Sequence, residues 1–314
     1  MVPTPGLKVA ILTGPTATGK TGLAIELAEK HGSMEIINAD SLLVYRGMDI
    51  GTAKPTQAEQ KNIPHHLIDI RDPHEAFTAG DFHREATKAI DEIHTRGKRA
   101  LIVGGTGFYL KTLLYGLWPA PKSDPAIRQK LEQESNDELY QKLEKRDPNA
   151  ALRIGRNDRY RLIRAHEMIE LSGMTPTEMQ AQTPKEPDPR FELWVLDRTN
   201  DELYARIEKR TDQMIEQGLI EEVKTLQTRY AGQELPRALS SVGYRETKDF
   251  LAGVAPEGRK IAPGIEGLKS EISLSTRQLV KSQRTWFRGE KSSHWFTLDQ
   301  DLPALHEAWK NIYG

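Results

Sequence analysis

Residues 14–21 read GPTATGKT and fit the phosphate-binding pattern G-x-x-x-x-G-K-[ST]. The glycines allow consecutive backbone N–H groups to turn toward one anion, and Lys20 adds a positive charge. The Thr21 hydroxyl is placed to bind Mg²⁺. The pattern therefore predicts a diphosphate or triphosphate site, although it does not decide the reaction. The predicted anion-binding residues are Gly14, Pro15, Thr16, Ala17, Thr18, Gly19, Lys20 and Thr21.

Asp40 is the second residue whose type and position suggest chemistry. A P-loop ATPase is expected to carry an acid for Mg²⁺ at the end of a second strand, but the strand before Gly104 ends in glycines. Asp40 instead follows an earlier strand. Ligands bind at the carboxyl ends of strands in open α/β sheets, so Thr16, Asp40 and Thr106 are expected to face one crevice. Asp40 could alternatively serve only as a turn or helix cap.

The elements that must position these residues alternate between strands and helices. Strands are predicted at 7–12, 34–38, 99–103 and 191–196. The glycine loop is followed by a helical segment that ends at Gly32, and helices also precede and follow the third strand. This alternation indicates parallel βαβ units and a doubly wound α/β sheet.

The sequence pattern changes after Trp118, where three prolines occur within a few residues. We predict a helical insertion at 123–190 within an α/β core formed by 1–122 and 191–314. Five arginines lie close together in the insertion, and a second basic stripe lies near the C-terminus. Either stripe could bind a polyanion or form a solvated helix face. These arginines and lysines are Arg153, Arg156, Arg159, Arg161 and Arg164, then Arg277, Lys281, Arg284, Arg288 and Lys291.

Composition excludes several classes of protein. The chain has 314 residues, a net charge of −1 and no cysteine, which rules out disulfides and thiolate catalysis. No segment approaches the roughly 18–20 apolar residues needed to cross a membrane. No signal peptide is recognisable at the N-terminus. We therefore expect a cytoplasmic protein that does not bind membranes. Separately, we expect it to be a monomer.

Several longer motifs resemble one family. GPTATGKT is followed in order by DSLLVYRGMDIGTAKP (40–55), VGGTGFYLKTLLYGL (103–117), RIEKRTDQMIEQGLIEEV (206–223) and TRQLVKSQRTWFR (276–288). Together with NDRYRLIRAHEMIE (157–170) and SVGYRE (241–246), these segments resemble the tRNA dimethylallyltransferases. The resemblance covers nearly the whole chain, and GMDIGTAKP is its most specific part.

The resemblance implies transfer of a dimethylallyl group from dimethylallyl diphosphate to N6 of the adenine on the 3′ side of a tRNA anticodon. By position, Asp40 is similar to the family's general base. Thr16 and Arg210 are similar to residues that bind the donor diphosphate, with Mg²⁺ as cofactor. The residues that match tRNA-contacting positions are Asp40, Ser41, Leu42, Leu43, Thr106, Arg128, Tyr160, Arg161, Leu162, Ile163, Arg164, Ser240, Ser241, Val242, Gly243, Tyr244, Arg245, Val280, Lys281, Ser282, Gln283, Arg284, Thr285, Trp286 and Phe287.

Three other functions are compatible with the phosphate loop. A small-molecule kinase would use Asp40 to bind its acceptor. An isopentenyltransferase could act on free adenine nucleotides, although the helical insertion and its arginines favour a larger substrate. A nucleotide-dependent RNA-binding switch would perform no chemistry, and it would leave Asp40 and Arg210 without a role.

Overall fold

A single parallel sheet forms the centre of the α/β unit. The computed structural model describes residues 7–255 and 262–314, and its strands follow the spatial order β3-β2-β4-β1-β5-β6. Every strand pair is parallel, so the predicted α/β fold with a parallel sheet is confirmed. The strands are β1 (Val9–Thr13), β2 (Met34–Asn38), β3 (His65–His66), β4 (Arg99–Val103), β5 (Phe191–Asp197) and β6 (Ser293–Thr297).

The inner strands are almost continuously apolar because the sheet is covered on both faces. All residues of β1 and β2 are buried. Strand β1 pairs with β4 on one side and β5 on the other, and Leu12 lies beside Val103. Consequently the loops that begin at Gly14 and Gly104 leave the same edge of the sheet next to each other.

Helices and loops connect the strands. They are α1 (Lys20–His31), α2 (Gln57–Gln60), α3 (Ala79–Thr95), α4 (Gly107–Tyr115), α5 (Pro125–Leu131), α6 (Asn136–Arg146), α7 (Pro148–Ile154), α8 (Arg159–Ser172), α9 (Pro176–Ala181), α10 (Asn200–Glu216), α11 (Leu219–Arg229), α12 (Tyr244–Leu251), α13 (Gly264–Arg288) and α14 (Leu302–Tyr313), with a 3₁₀ turn at Arg237–Ser240. None of the helices in the described ranges has the length and apolar character of a membrane span.

The sheet differs from the sequence prediction in three respects, the first of which is the two-residue edge strand β3, which was not predicted. Strand β1 begins at Val9 rather than at residue 7, because its pairing with β5 starts where Val9 lies beside Phe191. The C-terminal region, predicted to be helical throughout, contains the edge strand β6. Its polar sequence SHWFT buries only Phe296, so it lacks the continuous apolar run that marks the inner strands.

The chain divides into two compact units, Met1–Leu114 with Asp188–Gly314, and Tyr115–Pro187. The second unit contains helices α5 to α9, whose apolar side chains form their own core around Leu139, Leu143 and Leu162. In the first unit, the Asp188 backbone N–H donates to the carbonyl of Leu114 at 2.7 Å. The two ends of the first unit's chain therefore meet where the second unit is inserted.

Gly104 marks a close contact between the strand ends that carry the site. A methyl group added there would collide with the backbone of Ala39, the residue before Asp40. We expect Gly104→Ala to lower the free energy of unfolding by about 1–3 kcal/mol, as overpacked sites do. Urea denaturation should show this loss. Gly22→Ala is the matched control, because a methyl group at Gly22 meets no atom within 4 Å; an equally large loss there would contradict the steric explanation.

Candidate active site

The phosphate loop adopts a curled backbone that its sequence makes possible. Gly14 has φ 138° and Gly19 has φ 97°, values that favour glycine, and Ala17 also lies in the left-handed region at φ 66°. A side chain at Gly14 would collide with the carbonyl of Leu196 on β5. The buried Thr18 hydroxyl donates to the carbonyl of Pro15 at 2.9 Å and fixes the loop internally.

Lys20 points back into this loop. Its ammonium group donates to the carbonyls of Gly14 and Pro15 at 2.8 and 2.7 Å. Burial lowers the pKa of Lys20 to about 8; the negative charge of Asp40 opposes this shift, and the positive charge of Arg210 adds to it. The site therefore contains a poorly solvated cation that would gain most from an anionic ligand.

This pKa predicts a pH dependence for anion binding. Only the protonated lysine attracts an anion, and Lys20 loses its proton as the pH rises through about 8. We therefore expect the affinity for inorganic pyrophosphate, measured by calorimetry, to fall as the pH rises through about 8. Lys20→Arg stays protonated over this range and serves as the control. The same decline in both proteins would mean that Lys20 is not its cause.

Arg210 reaches the phosphate loop from helix α10. Its Nη1 donates to the Thr16 hydroxyl at 3.1 Å, and its Nη2 donates to the carbonyl of Thr52 at 3.3 Å. Burial lowers the pKa of Arg210, and the charge of Asp40 opposes that shift. Two residues predicted to bind the diphosphate, Thr16 and Arg210, are thus in direct contact.

Asp40 lies just beyond the end of β2 and is held by its neighbours. Its backbone N–H donates to the Asn38 side-chain oxygen at 2.9 Å, while its own Oδ1 accepts the N–H of Leu42 at 2.9 Å. Within residues 7–255 and 262–314, its Oδ2 accepts no hydrogen bond. The carboxylate acts electrostatically on both Lys20 and Arg210. Asp40 therefore acts on two cations of the site in addition to forming a turn.

Gln283 connects the phosphate loop to the glycine loop after β4. Its oxygen accepts the N–H of Thr16 at 2.9 Å, and its amide nitrogen donates to the carbonyl of Gly105 at 3.1 Å. The next residue, Thr106, accepts the N–H of Ser41 at 2.9 Å through its hydroxyl. Loops from three strands are therefore tied together around Asp40.

Five of the residues that match tRNA-contacting positions have buried side chains, which pack in the protein interior. Their part in tRNA binding stays a prediction. Among them, Tyr244 donates its hydroxyl to Glu222 at 2.6 Å. The five buried residues are Leu162, Ile163, Tyr244, Val280 and Phe287.

The other predicted tRNA contacts in the first unit have varied surroundings. Ser240, Arg245, Lys281, Ser282 and Thr285 are exposed. Ser41, Leu42, Leu43, Ser241 and Val242 are partly exposed, and Gly243 takes φ 92° at the start of α12. Arg284 is bound to Asp197 at 2.8 Å, and the Trp286 ring covers Gly107 so closely that a methyl group would not fit. Arg284 and Trp286 therefore stabilise the protein structure around the site.

The arginines of the second unit fall into two groups. Arg159 and Arg164 are held by internal contacts, the latter to Glu167 at 2.6 Å. Arg153, Arg156 and Arg161 are exposed. Arg128 lies over the ring of Tyr160, 4.8 Å from its centroid, and 51% of Tyr160 is exposed. The exposed cations and this stacked pair are therefore candidate contacts for an RNA backbone.

Two arginines near the phosphate loop were missed by the sequence prediction. Arg206 donates through Nε to the carbonyl of Ala17 at 2.6 Å, and Arg198 donates to that of Thr18 at 3.0 Å. The spacing of four between Arg206 and Arg210 puts both on one helix face and could have indicated the pair. No comparable spacing in the sequence indicates Arg198.

No group of three or more acidic or histidine side chains in the described ranges could bind a metal. Magnesium, however, often binds through one or two protein oxygens together with substrate phosphates and waters. The Thr21 hydroxyl, exposed beside Lys20 at the start of α1, is compatible with that arrangement.

The fold and site define a P-loop α/β protein in which the phosphate loop lies beside a carboxylate. A family model described as IPP transferase matches residues 43–290, and the chain belongs to this family.

Named relatives and solved structures are consistent with this assignment. A tRNA dimethylallyltransferase 1 from Citrifermentans bemidjiense is 44% identical over 92% of both chains. A tRNA dimethylallyltransferase from Anoxybacillus flavithermus is 42% identical over 94% of this chain and 92% of that one. A tRNA isopentenylpyrophosphate transferase from Bacillus halodurans superposes with a TM-score of 0.69 at 36% identity, covering 98% and 97% of the chains. A eukaryotic dimethylallyltransferase acting on tRNA superposes at 0.80 with 28% identity, covering 96% and 78%.

Proposed function

We propose that this protein transfers a dimethylallyl group from dimethylallyl diphosphate to N6 of the adenine at position 37 of tRNA, on the 3′ side of the anticodon, and releases diphosphate. The observation that carries the proposal is the position of Asp40 just beyond β2, where its carboxylate acts electrostatically on the charges of Lys20 and Arg210. The site thereby combines a phosphate-binding loop for the leaving anion with a proton acceptor.

The chemistry requires both parts. Adenine N6 attacks the allylic carbon with its lone pair, the carbon–oxygen bond breaks, and its electrons leave with the diphosphate. Negative charge then grows on the leaving group, which Lys20, Arg210 and the loop amides stabilise most strongly at that stage. Asp40 accepts the proton that N6 loses as it becomes positively charged.

Magnesium would be bound by the Thr21 hydroxyl and the diphosphate oxygens. Bound there, it would neutralise part of the leaving group's charge. We also propose that the protein acts as a monomer, which light scattering at working concentrations would test.

The exposed arginines of the second unit are proposed to bind the tRNA backbone. Arg161 is 66% exposed and pairs only with the neighbouring Asp158, at 2.9 Å, among the described residues. We expect Arg161→Ala to weaken tRNA binding and to reduce the salt slope of log K by about 1, the value for one lost phosphate contact. Filter binding from low to high salt would measure this. Arg84→Ala, on the exposed face of α3, is the charge-matched control. Equal slopes for wild type and Arg161→Ala would refute the contact.

The direct test is mass spectrometry of an unmodified tRNA transcript after incubation with protein, dimethylallyl diphosphate and Mg²⁺. We expect an adenosine at position 37 that is heavier by one dimethylallyl group, and no product when that adenosine is replaced by guanosine. Unchanged adenosine would overturn the proposal. Product on free AMP would favour the nucleotide-modifying alternative, and transfer of labelled γ-phosphate from ATP would favour a kinase. RNA binding without any transfer would favour a switch.

A further inference from the structure

The GMDIGTAKP segment, residues 47–55, is the most specific motif of the sequence, yet the reaction above gives it no role. In the structure it forms a compact loop between β2 and α2. Met48 and Gly51 are buried, and a side chain at Gly51 would collide with the ring of Tyr244. Lys54, with only 6% of its side chain exposed, binds Asp49 at 2.6 Å. The loop is therefore fixed on several sides.

One carboxylate holds the backbone of this loop. Glu222, near the start of α11, accepts three consecutive N–H groups: those of Asp49 at 3.0 Å, Ile50 at 2.8 Å and Gly51 at 3.1 Å. It also accepts the Tyr244 hydroxyl at 2.6 Å. Three converging backbone N–H groups form a concave site for an anion, and here the protein's own side chain fills it. Hydrogen bonds to a charged acceptor are among the stronger ones in proteins.

The residue after this anchored stretch contacts the active site. The Thr52 carbonyl accepts Nη2 of Arg210 at 3.3 Å, while Nη1 of the same guanidinium donates to Thr16. The Thr52 hydroxyl donates back to the carbonyl of Met48 at 2.7 Å, which closes the loop on itself. Two contacts at opposite ends of a planar guanidinium fix its orientation. Within the described ranges they use two of its five N–H groups and leave three for a ligand.

We propose that Glu222 is a positioning residue: by anchoring the 49–51 backbone it places the Thr52 carbonyl that orients Arg210 toward the donor diphosphate. The motif's role is then to orient the Arg210 guanidinium, and Glu222 acts through Arg210 without contacting substrate. The reaction step rests on the proposed function, whereas orientation of Arg210 toward an anion does not.

A double-mutant cycle on pyrophosphate binding tests this chain of contacts. We expect Glu222→Gln, which keeps the size of the side chain but faces backbone N–H groups with an amide, to weaken pyrophosphate binding about tenfold. In an Arg210→Ala background the same change should matter less than about twofold, because the group it positions is gone. Calorimetry with inorganic pyrophosphate supplies all four dissociation constants. Additive effects of the two changes would overturn the proposal, because a purely structural role for Glu222 would act independently of Arg210.

The neighbouring Glu221 provides a matched control. It carries the same charge on the same helix turn but is 72% exposed and pairs with Lys224. Glu221→Gln should bind pyrophosphate like wild type, and a loss equal to that of Glu222→Gln would contradict the proposal. Melting curves identify folded variants. If Glu222→Gln does not fold, Glu222→Asp replaces it in the cycle, because the shorter side chain keeps the charge but withdraws it from the same three N–H groups.

Kinetic measurements separate this inference from the proposed function. If the wild-type protein transfers the prenyl group, Glu222→Gln should raise KM for the donor and leave KM for tRNA within about twofold. The reason is that the anchored loop contacts Arg210, the arginine proposed to bind the donor diphosphate. A rise in KM for tRNA alone would overturn the positioning role. If no transfer occurs in wild type, the proposed function fails, while the pyrophosphate cycle still decides whether Glu222 acts through Arg210.

Discussion

Asp40→Asn is expected to lower the rate constant of prenyl transfer by about 10²–10⁴-fold, the usual contribution of a general base, while tRNA affinity changes little. Asparagine keeps an oxygen that can accept the Leu42 N–H, so the turn after β2 is preserved. What it loses is the ability to take the proton from N6. Single-turnover measurements with saturating tRNA would report the chemical step directly.

Asp40→Ala provides the second half of this test. Alanine also removes the Leu42 contact, so any difference from Asp40→Asn measures the turn rather than the proton transfer. We expect the two variants to be similarly slow. If Asp40→Asn remains within a few-fold of wild type, Asp40 acts only as a turn residue and another group must accept the proton.

Lys20→Met is expected to lower kcat/KM for the donor by about 10²–10³-fold, as the loss of one preorganised group that stabilises transition-state charge does. Methionine has a similar length but cannot neutralise a phosphate oxygen. Steady-state kinetics with varied dimethylallyl diphosphate would measure the change. Lys30→Met, on the exposed face of the same helix, is the control because Lys30 pairs only with Glu26 among the described residues.

The stability of Lys20→Met separates binding from folding. Burial lowers the pKa of Lys20 in the folded state, so the charged lysine makes the unliganded protein less stable at pH 7. Raising the pH from about 8 toward the unfolded-state pKa should remove that cost and stabilise the wild type. Lys20→Met should consequently melt at the same temperature as wild type or higher. A large fall in melting temperature would show that Lys20 supports the fold instead.

How far the site could be predicted depended on how local its contacts are. The phosphate loop is contiguous, and its glycines and Lys20 are recognisable from spacing alone. Asp40 could be inferred because parallel strands bring their carboxyl ends to one edge. Arg210 lies 194 positions from its partner Thr16, and only the family resemblance indicated it. The joint contacts of Gln283 and the anchoring by Glu222 depend on tertiary packing that no local pattern encodes.

The same distinction explains why the burial of the Tyr244 ring and the presence of strand β6 could not be predicted. No local pattern around Tyr244 indicates that its ring is buried. Its burial follows from the missing side chain at Gly51, nearly two hundred positions earlier, which makes room for the ring. Strand β6 was missed because an edge strand with one buried residue has no strong apolar period.

The hydrogen bond between Leu114 and Asp188 also bears on the history of this architecture. The residues that flank the inserted segment are already hydrogen-bonded to each other. The segment can therefore be gained, exchanged or lost without changes to the sheet, because only a short connection is needed to close the chain. Modularity of this kind would let recognition of a large substrate diversify while the chemistry stayed unchanged.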